Sequence, residues 1–230
     1  MRRVIYAEGE VYHIYNRGTD KREVFGDDVD RARFVQDLYE MNNSAPVVNS
    51  GHYFAQELVF YLDSDRRQGA QCRVKGQKLV EILEFVLMPN HFHLLLRQGV
   101  PGGICAFMQK IGTAYTMYFN KRYSRTGMLF QGPYKSINIK REEHYEWIPH
   151  YIHANPLKLQ PPFSSVEEAM MFLKSYKWSS FRDYAGMPNF PQILYKDLLE
   201  EFFARDGGFW RSMSKWLENR QGLPIEAKPR

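Results

Sequence analysis

The first clear hydrophobic pattern along the chain is an alternation over residues 10–17, EVYHIYNR. Apolar or aromatic residues at every second position are typical of a β-strand, in which successive side chains point to opposite faces. The alternation puts His13 and Tyr15 on one face of a predicted strand, and Tyr12 and Ile14 on the other. A glycine and a polar stretch follow and end the strand.

Two helices are predicted from apolar residues at helical spacing. The first begins near Asp27, in DDVDRARFVQDLYEMNN, and its early acidic residues favour the positive end of the helix dipole. The second covers residues 104–123, where Phe107, Ile111 and Tyr115 share one stripe. Between residues 42 and 79 no period persists, so we interpret that stretch as an insertion or an elaborated loop.

A hairpin is predicted in EILEFVLMPNHFHLLLRQ, because two apolar runs flank Pro89-Asn90. Proline cannot donate to a strand ladder and asparagine tolerates turn conformations. The sequence therefore predicts a strand over residues 81–88, a tight turn, and a second strand over residues 91–97.

The remaining pattern completes an α+β fold. A short strand is predicted near residues 134–139, and REEHYEWIPHYIHAN predicts a helix that Pro149 kinks or starts and Pro156 ends. The rest of the chain is mostly helical, with a frayed end, QGLPIEAKPR. Helices covering a small antiparallel or mixed sheet are the expected architecture. We expect a first domain over residues 1–160 and a mostly helical extension over residues 161–230.

Composition excludes several classes of protein. With 230 residues, 44% of them hydrophobic and 25% charged, the chain is neither a disordered tail nor a disulfide-stabilised mini-protein. No apolar run approaches the roughly 18 residues of a membrane span, so we expect a cytoplasmic protein with no membrane partner. Cys72 and Cys105 are too few for a disulfide framework and are expected to be free thiols. A net charge of +5 permits a polyanionic partner.

His91 and His93 open the second strand of the hairpin and are the first candidate site residues. Their spacing of two aims both imidazoles to one face of the strand, whereas Phe92 points to the other face. Imidazole is a common ligand of divalent metals, so the pair predicts a metal site. The alternative is a pair of structural histidines, because His-x-His is a common pattern.

Tyr151 is the candidate nucleophile in HYIHANP. A neutral phenol attacks weakly unless a nearby group stabilises its phenolate or polarises its target. Asn155 lies four residues later, so its amide oxygen can face the same cleft and supply a third metal ligand. However, Pro156 disfavours helical geometry at Asn155. The alternative is a buried tyrosine beside a helix-ending Asn-Pro.

Basic residues with aromatic neighbours are candidate contacts for nucleic-acid phosphates. A charged set of this kind is also typical of a solvated face, and its position next to the proposed site in sequence favours the binding interpretation. The candidates are Lys110, Lys121, Arg122, Arg125, Lys135 and Lys140.

Five segments in order resemble the REP-associated tyrosine transposases, a branch of the single-tyrosine HUH transposases. They are YHIYNRGTDKREVF, FVLMPNHFHLLL, FQGPYKS, YIHANPLK and WSSFRDY, and they run from about Tyr12 to Tyr184. The resemblance implies an RRM-like or ferredoxin-like sheet that carries the histidine pair, with the nucleophile on a following helix. Two departures stand out: residues 42–79 form a longer stretch than the family pattern predicts, and the segment after Tyr184 has no assigned counterpart.

The resemblance also implies a function and its cofactor. We expect Mg²⁺ or Mn²⁺ on His91, His93 and Asn155, with Tyr151 forming a 5′-phosphotyrosine intermediate in single-stranded or hairpin DNA. Residues 1–160 would then be the catalytic domain of a nucleoid-associated DNA transposase. Whether the chain acts alone or as a homodimer stays open.

Two other functions remain open from the sequence. A domesticated protein could bind DNA hairpins on the same scaffold without cutting them. A zinc-dependent hydrolase could use the same histidine pair, but the motif has no Asp or Glu beside it to act as a general base.

Overall fold

Four antiparallel strands form the sheet of the computed structural model, which describes residues 5–46, 76–160 and 163–220. The strands are β1 (Val11–Arg17), β2 (Val80–Met88), β3 (His91–Gln98) and β4 (Lys135–Asn138). Their order across the sheet is β2-β3-β1-β4. In the central pair, Tyr15 lies opposite His93 and Arg17 lies opposite His91.

Seven α-helices occur within the described residues. They are α1 (Asp28–Glu40), α2 (Gly103–Arg122), α3 (Glu142–Ala154), α4 (Val166–Ser175), α5 (Phe181–Tyr184), α6 (Asp197–Ala204) and α7 (Phe209–Glu218). Short 3-10 turns cover Thr19–Lys21 and Asn155–Leu159. The predicted α+β class, with an antiparallel sheet and a mostly helical C-terminal part, is confirmed. No helix in these ranges is both long enough and apolar enough to cross a membrane.

The two faces of the sheet are covered by different helices. Tyr12 and Ile14 of β1, together with Phe92 of β3, belong to a core that includes side chains of α1 and α2. Val11 and Leu95 of the same strands belong to a second core with side chains of α3, α4 and α7. The alternation along β1 and β3 thus turns their histidines toward the face that α3 covers.

Side-chain caps explain two of the element boundaries. Asp27 caps α1, because its carboxylate accepts hydrogen bonds from the amides of Val29 and Asp30 at 3.0 Å. Asn42 ties the end of α1 to β2, since its Oδ1 accepts from the amides of Leu79 and Val80 at 3.0 Å. The interpretation of residues 42–79 as an insertion falls mainly on residues outside the described ranges, as do Cys72 and the predicted frayed end.

Two expectations about α3 need correction. Pro149 lies inside the helix, which begins at Glu142, so the proline does not start it. Asn155 has helical dihedral angles, φ −51° and ψ −40°, although it precedes Pro156, so the expected departure from helical geometry was wrong. The chain passes directly from α3 into the 3-10 turn, which keeps Asn155 one turn beyond Tyr151. The proposed division into residues 1–160 and 161–230 stays a prediction.

Candidate active site

The histidine pair lies at the start of β3, directly after the tight turn at Pro89-Asn90. Both imidazoles are on the face that α3 covers, and their rings meet edge to face at 5.1 Å between centroids. Phe92 is buried in the opposite core, so the predicted alternation of the His-x-His segment is confirmed. The sheet therefore presents two neighbouring imidazoles to the same small volume.

His91 is held by the asparagine that precedes it. Nδ1 of His91 lies 2.6 Å from Oδ1 of Asn90. Nδ2 of Asn90 donates to the carbonyl oxygen of Lys21 at 3.1 Å, which fixes the orientation of the amide. The position of His91 therefore depends on a contact between the hairpin turn and the 3-10 turn after β1.

His93 is held by a third histidine, His13 of β1. Nε2 of His13 lies 2.8 Å from Nδ1 of His93, and the two rings are stacked with centroids 5.0 Å apart. Tyr15 packs on the same side, with its ring centroid 5.2 Å from His13 and 5.6 Å from His93. The second ring nitrogen of His13, Nδ1, is buried without a hydrogen-bond partner.

The three histidines are neutral at physiological pH. Burial lowers the pKa of His13 to about 3 and, with help from the charges of Lys158 and Arg17, the pKa of His91 to about 4. The pKa of His93 lies well below its ordinary value, mainly because of burial and secondarily because of its neighbours. A neutral imidazole keeps one ring nitrogen with a lone pair, which is the form that binds a metal.

Tyr151 of α3 faces the histidines of its own chain. Its ring lies edge-on to His93 at 5.5 Å and to His13 at 6.2 Å between centroids. The side chain is only 4% exposed, and this burial raises the pKa of the phenol. A hydrogen bond with the side chain of Asn155 opposes that shift.

Asn155 lies between the phenol and the histidines. Its Nδ2 donates to the carbonyl oxygen of Tyr151 at 2.8 Å, and its side chain is close enough to His91 to oppose the lowering of that imidazole's pKa. The fully buried amide therefore lies between the nucleophile candidate and one member of the histidine pair.

Lys158 brings a positive charge to the same place. Its Nζ donates to Oδ1 of Asn155 at 3.0 Å and lies 3.4 Å from Oη of Tyr151. The ammonium is also 4.7 Å from the centre of the Tyr151 ring. A cation at this distance favours negative charge on the phenol oxygen.

The donor set fits a divalent metal with open positions. Within the described ranges, no group of three or more His, Cys, Asp and Glu side chains is arranged to hold a metal ion. The available donors are instead the two imidazoles, which both use Nδ1 inside the protein, and the amide of Asn155. Two nitrogen ligands and one oxygen ligand leave room for water and phosphate oxygens.

Residues 60–155 match the family model described as "Transposase IS200 like". Over this stretch the chain is similar to IS200-like transposases. The IS200-like region covers less than half of the chain but includes His91, His93, Tyr151 and Asn155.

The chain also compares with curated proteins and with solved structures as follows. No curated protein is a sequence match. One solved structure, of a REP-associated tyrosine transposase bound to a REP hairpin, is similar with 12% identity and a TM-score of 0.49. The similarity covers 86% of this chain and 92% of that chain.

The six basic residues named from the sequence lie in different environments. Lys110 donates to the carbonyl oxygens of Asn43 and Ala45, and Arg122 pairs with Asp27 and Asp30 of α1. These two cations hold α2 against neighbouring segments outside the candidate active site.

The other four cations are closer to solvent or to β4. Lys121 is exposed, and Arg125 bonds to Asn120 at the end of α2. Lys140 pairs with Glu10 at 3.1 Å. Lys135 is exposed on β4 with its Nζ 6.0 Å from the ring centre of Tyr15, so it is the member of the set that borders the histidines.

Sequence reasoning missed His13, Tyr15 and Lys158 as residues of the candidate active site. The alternation of β1 did put His13 and Tyr15 on one face, but nothing local pairs that face with β3. Lys158 lies seven residues after Tyr151 and three after Asn155, spacings that return to the same side of a helix. This spacing is visible in the sequence, but the expected end of helical geometry at Pro156 argued against applying it to Lys158.

Proposed function

We propose that the chain is a metal-dependent transposase and endonuclease of single-stranded DNA that cleaves and rejoins strands at hairpin-forming sequences. The observation that carries this proposal is the contact between the phenol ring of Tyr151 and the imidazole of His93 within one chain. The match of residues 60–155 to the IS200-like transposase family model supports DNA as the substrate. The five sequence segments that resemble REP-associated tyrosine transposases support a hairpin-forming target.

His91, His93 and Asn155 are the proposed holders of Mg²⁺ or Mn²⁺. The two neutral imidazoles and the amide oxygen each carry a lone pair that can be donated to a divalent cation, and the open positions suit water and phosphate oxygens. When bound, the ion polarises the scissile phosphate and offsets the charge that develops on its oxygens. The chain's own task is to keep these three side chains in one orientation.

Tyr151 is the proposed nucleophile. Its Oη forms a bond to the phosphorus, and the bond from phosphorus to the 3′ oxygen breaks. The phenol proton is released, and the 3′ oxygen takes up a proton to become a free hydroxyl. The product is a 5′-phosphotyrosine, which stores the bond so that another 3′ hydroxyl can attack it and rejoin the strands.

Lys158 and Lys135 have separate roles in this proposal. Because burial raises the pKa of Tyr151, a charge next to Oη is needed to make the phenolate accessible, and Lys158 supplies it. Lys135 borders the site from β4 and is placed to contact the DNA backbone, while Tyr15 offers a ring beside it. The remaining proposed phosphate contacts are Lys121, Arg125 and Lys140, together with Lys110 and Arg122, which would have to exchange their present partners in the fold for phosphate.

Replacing Tyr151 with Phe tests the nucleophile. We expect the wild-type protein to form an SDS-resistant complex with a labelled single-stranded hairpin in the presence of Mn²⁺. Tyr151→Phe is expected to form none, because it lacks the attacking oxygen, and to retain hairpin binding in a gel-shift assay. Tyr184→Phe is the matched control, because that buried phenol bonds to the carbonyl oxygen of Leu83 and packs against His153 rather than against His91 or His93. An adduct of undiminished yield in Tyr151→Phe would refute the assignment.

The same assay tests the metal. Cleavage is expected to stop in EDTA and in the double variant His91→Ala/His93→Ala. Cleavage that persists in both would exclude the proposed role of the histidine pair.

A hairpin-binding protein that does not cut is the second candidate. The 4% exposure of Tyr151 and its raised pKa favour it, because both oppose attack by the phenol. Tight hairpin binding by the wild type without any covalent complex, in Mg²⁺ and in Mn²⁺, would establish this function instead.

A further inference from the structure

Both imidazoles of the His91-x-His93 pair use the same ring nitrogen for a bond within the chain. Nδ1 of His91 faces Oδ1 of Asn90 at 2.6 Å, and Nδ1 of His93 faces Nε2 of His13 at 2.8 Å. In a neutral imidazole one nitrogen carries the proton and the other carries the lone pair. The partner of Nδ1 therefore decides which nitrogen is free to act as a ligand.

The contact at His91 has only one consistent proton position. Asn90 donates its amide to the carbonyl oxygen of Lys21, so the atom that faces His91 is the carbonyl oxygen Oδ1. That oxygen can only accept, so Nδ1 of His91 must donate. His91 then carries its lone pair on Nε2.

The contact at His93 allows two proton positions, which differ in consequence. If Nε2 of His13 donates, the proton of His93 lies on its Nε2, and no lone pair is left for a ligand bond. If Nδ1 of His93 donates, Nε2 of His93 carries the lone pair, as it does in His91. The remaining ring nitrogen of His13 is buried without a partner in either case.

We propose that His13 and Asn90 are positioning residues that accept the Nδ1 protons of His93 and His91 and so direct both Nε2 lone pairs to one divalent cation. This inference rests on the metal site of the proposed function. Histidine ligands of metals commonly donate their other ring N–H to a second residue, which fixes the tautomer and the ring orientation. In this chain the acceptors would be the imidazole of His13 and the side-chain amide of Asn90, where many metal sites have a carboxylate.

The surroundings of His13 suit a fixed acceptor. The side chain is 2% exposed, Tyr15 stacks on its ring, and β1 pairs with β3 along seven residue pairs. A buried acceptor on a paired central strand has little freedom to turn away, so the orientation of His93 is set before the cation binds.

Mn²⁺ affinity measured by electron paramagnetic resonance of the free ion tests the proposal without any catalytic readout. His13→Phe keeps a buried ring but removes the acceptor, and we expect it to weaken Mn²⁺ binding by about 10- to 100-fold. His13→Gln retains an acceptor near the same point and should bind Mn²⁺ more tightly than the Phe variant. In the same way, Asn90→Asp keeps an acceptor oxygen and should bind Mn²⁺ more tightly than Asn90→Ala, which has none.

His144→Phe is the matched control, since His144 is a buried histidine whose Nδ1 contacts a backbone carbonyl at 3.4 Å. It is expected to bind Mn²⁺ like the wild type. Circular dichroism of each variant checks that the fold persists. Long-range ¹⁵N NMR of the Mg²⁺-saturated protein should show the proton of His93 on Nδ1.

The outcomes separate this inference from the proposed function. A folded His13→Phe variant with wild-type Mn²⁺ affinity overturns the role of His13 and leaves the metal site standing. Equal weakening in His13→Phe and His13→Gln also overturns it, because packing alone would then explain the loss. A wild-type protein that binds no Mn²⁺ at His91 and His93 removes the proposed metal site itself.

Discussion

Tyr151 combines two properties that oppose each other. Its ring is buried against His93 and His13, which fixes the direction of the phenol but raises the pKa of its hydroxyl. A buried phenol loses its proton only if nearby positive charge compensates for the lost hydration. In the described residues, Lys158 contributes such a charge 3.4 Å from Oη.

Lys158→Met should therefore slow formation of the covalent adduct. We expect a decrease of roughly 10-fold, which is modest because Lys158 is exposed and water screens its charge. The adduct rate of the variant should also level off at higher pH than that of the wild type, because the phenolate becomes less stable. Single-turnover measurements from pH 6 to about 10, the range that brackets the ordinary phenol pKa, give both quantities.

Two further variants separate charge from packing at this position. Lys158→Arg keeps the charge and should keep the wild-type pH profile. Lys174→Met removes a cation of α4 that lies over Trp210, and it should leave the adduct rate unchanged. A Lys158→Met variant with the wild-type rate and pH profile would contradict the assigned role.

The sequence predicted the site residues whose relation is local. The spacing of His91 and His93 on a strand fixes their common face, and the helical spacing of Tyr151 and Asn155 fixes theirs. His13 was not predicted, because its hydrogen bond to His93 joins positions 80 residues apart and depends on the register of β1 against β3. Register is set by tertiary pairing, and a single sequence does not show it.

At the level of elements, α3 is the link between the site and the C-terminal helices. One of its sides carries Tyr151, and the other carries His150 and His153. His153 contacts Ser180 at 2.9 Å and the carboxyl group of Glu84 at 3.4 Å, and all three side chains are fully buried. Burial raises the pKa of Glu84 and lowers that of His153, so this contact joins neutral groups. The position of Tyr151 thus depends on contacts on the far side of its own helix.

His150 gives the α3–α7 contact a pH dependence. Its Nε2 lies 2.8 Å from Oγ of Ser212 on α7, and burial lowers its pKa to about 4 although the backbone of Glu146 and the charge of Asp206 oppose the shift. In the unfolded chain the pKa is near 6.5, so the unfolded state binds more protons between these values. The stability contributed by neutral His150 is therefore complete above pH 6.5 and is lost as the pH falls toward 4.

Urea unfolding at a series of pH values measures this contribution. We expect His150→Gln to reduce the loss of unfolding free energy between pH 6.5 and 4 by up to about 1.4 kcal/mol per pH unit. Because other buried histidines are still present, the variant should retain part of the slope. A slope identical to that of the wild type would show that His150 does not carry the linkage.

Most element boundaries could be predicted, and the exceptions have a physical reason. Strands and helices with a clear period, such as β1, α1 and α2, begin and end close to the predicted residues. Proline was given too much weight at two points of α3, because Pro149 is tolerated within the helix and Asn155 keeps helical dihedral angles before Pro156. The α-helix itself does end just before Pro156, as predicted. Tertiary packing of Ile148, Tyr151 and Ile152 into the core overrides the local preference.

Over the whole molecule, net charge and aromatic content indicate the candidate site less well than the positions of individual residues in the fold. The net charge of +5 is a weak indication of a DNA partner, and Arg122, one of the six basic candidates named from the sequence, is engaged by Asp27 and Asp30. Lys135 and Lys158 become candidates for a role at the site only because the fold brings them near the histidines. The arrangement of the sheet and α3, which local patterns do not give, is what turns separate motifs into one site.

The phenol and the imidazoles that it contacts belong to one polypeptide, and this has a kinetic consequence. If each molecule is a self-sufficient unit, the turnover rate per molecule should not change when the protein is diluted across the range in which any assembly would dissociate. Adduct formation measured from nanomolar to micromolar protein, with saturating hairpin, gives that rate directly. Mixing Tyr151→Phe with His91→Ala/His93→Ala should likewise restore no activity, since neither variant chain contains both the Tyr151 phenol and the two imidazoles.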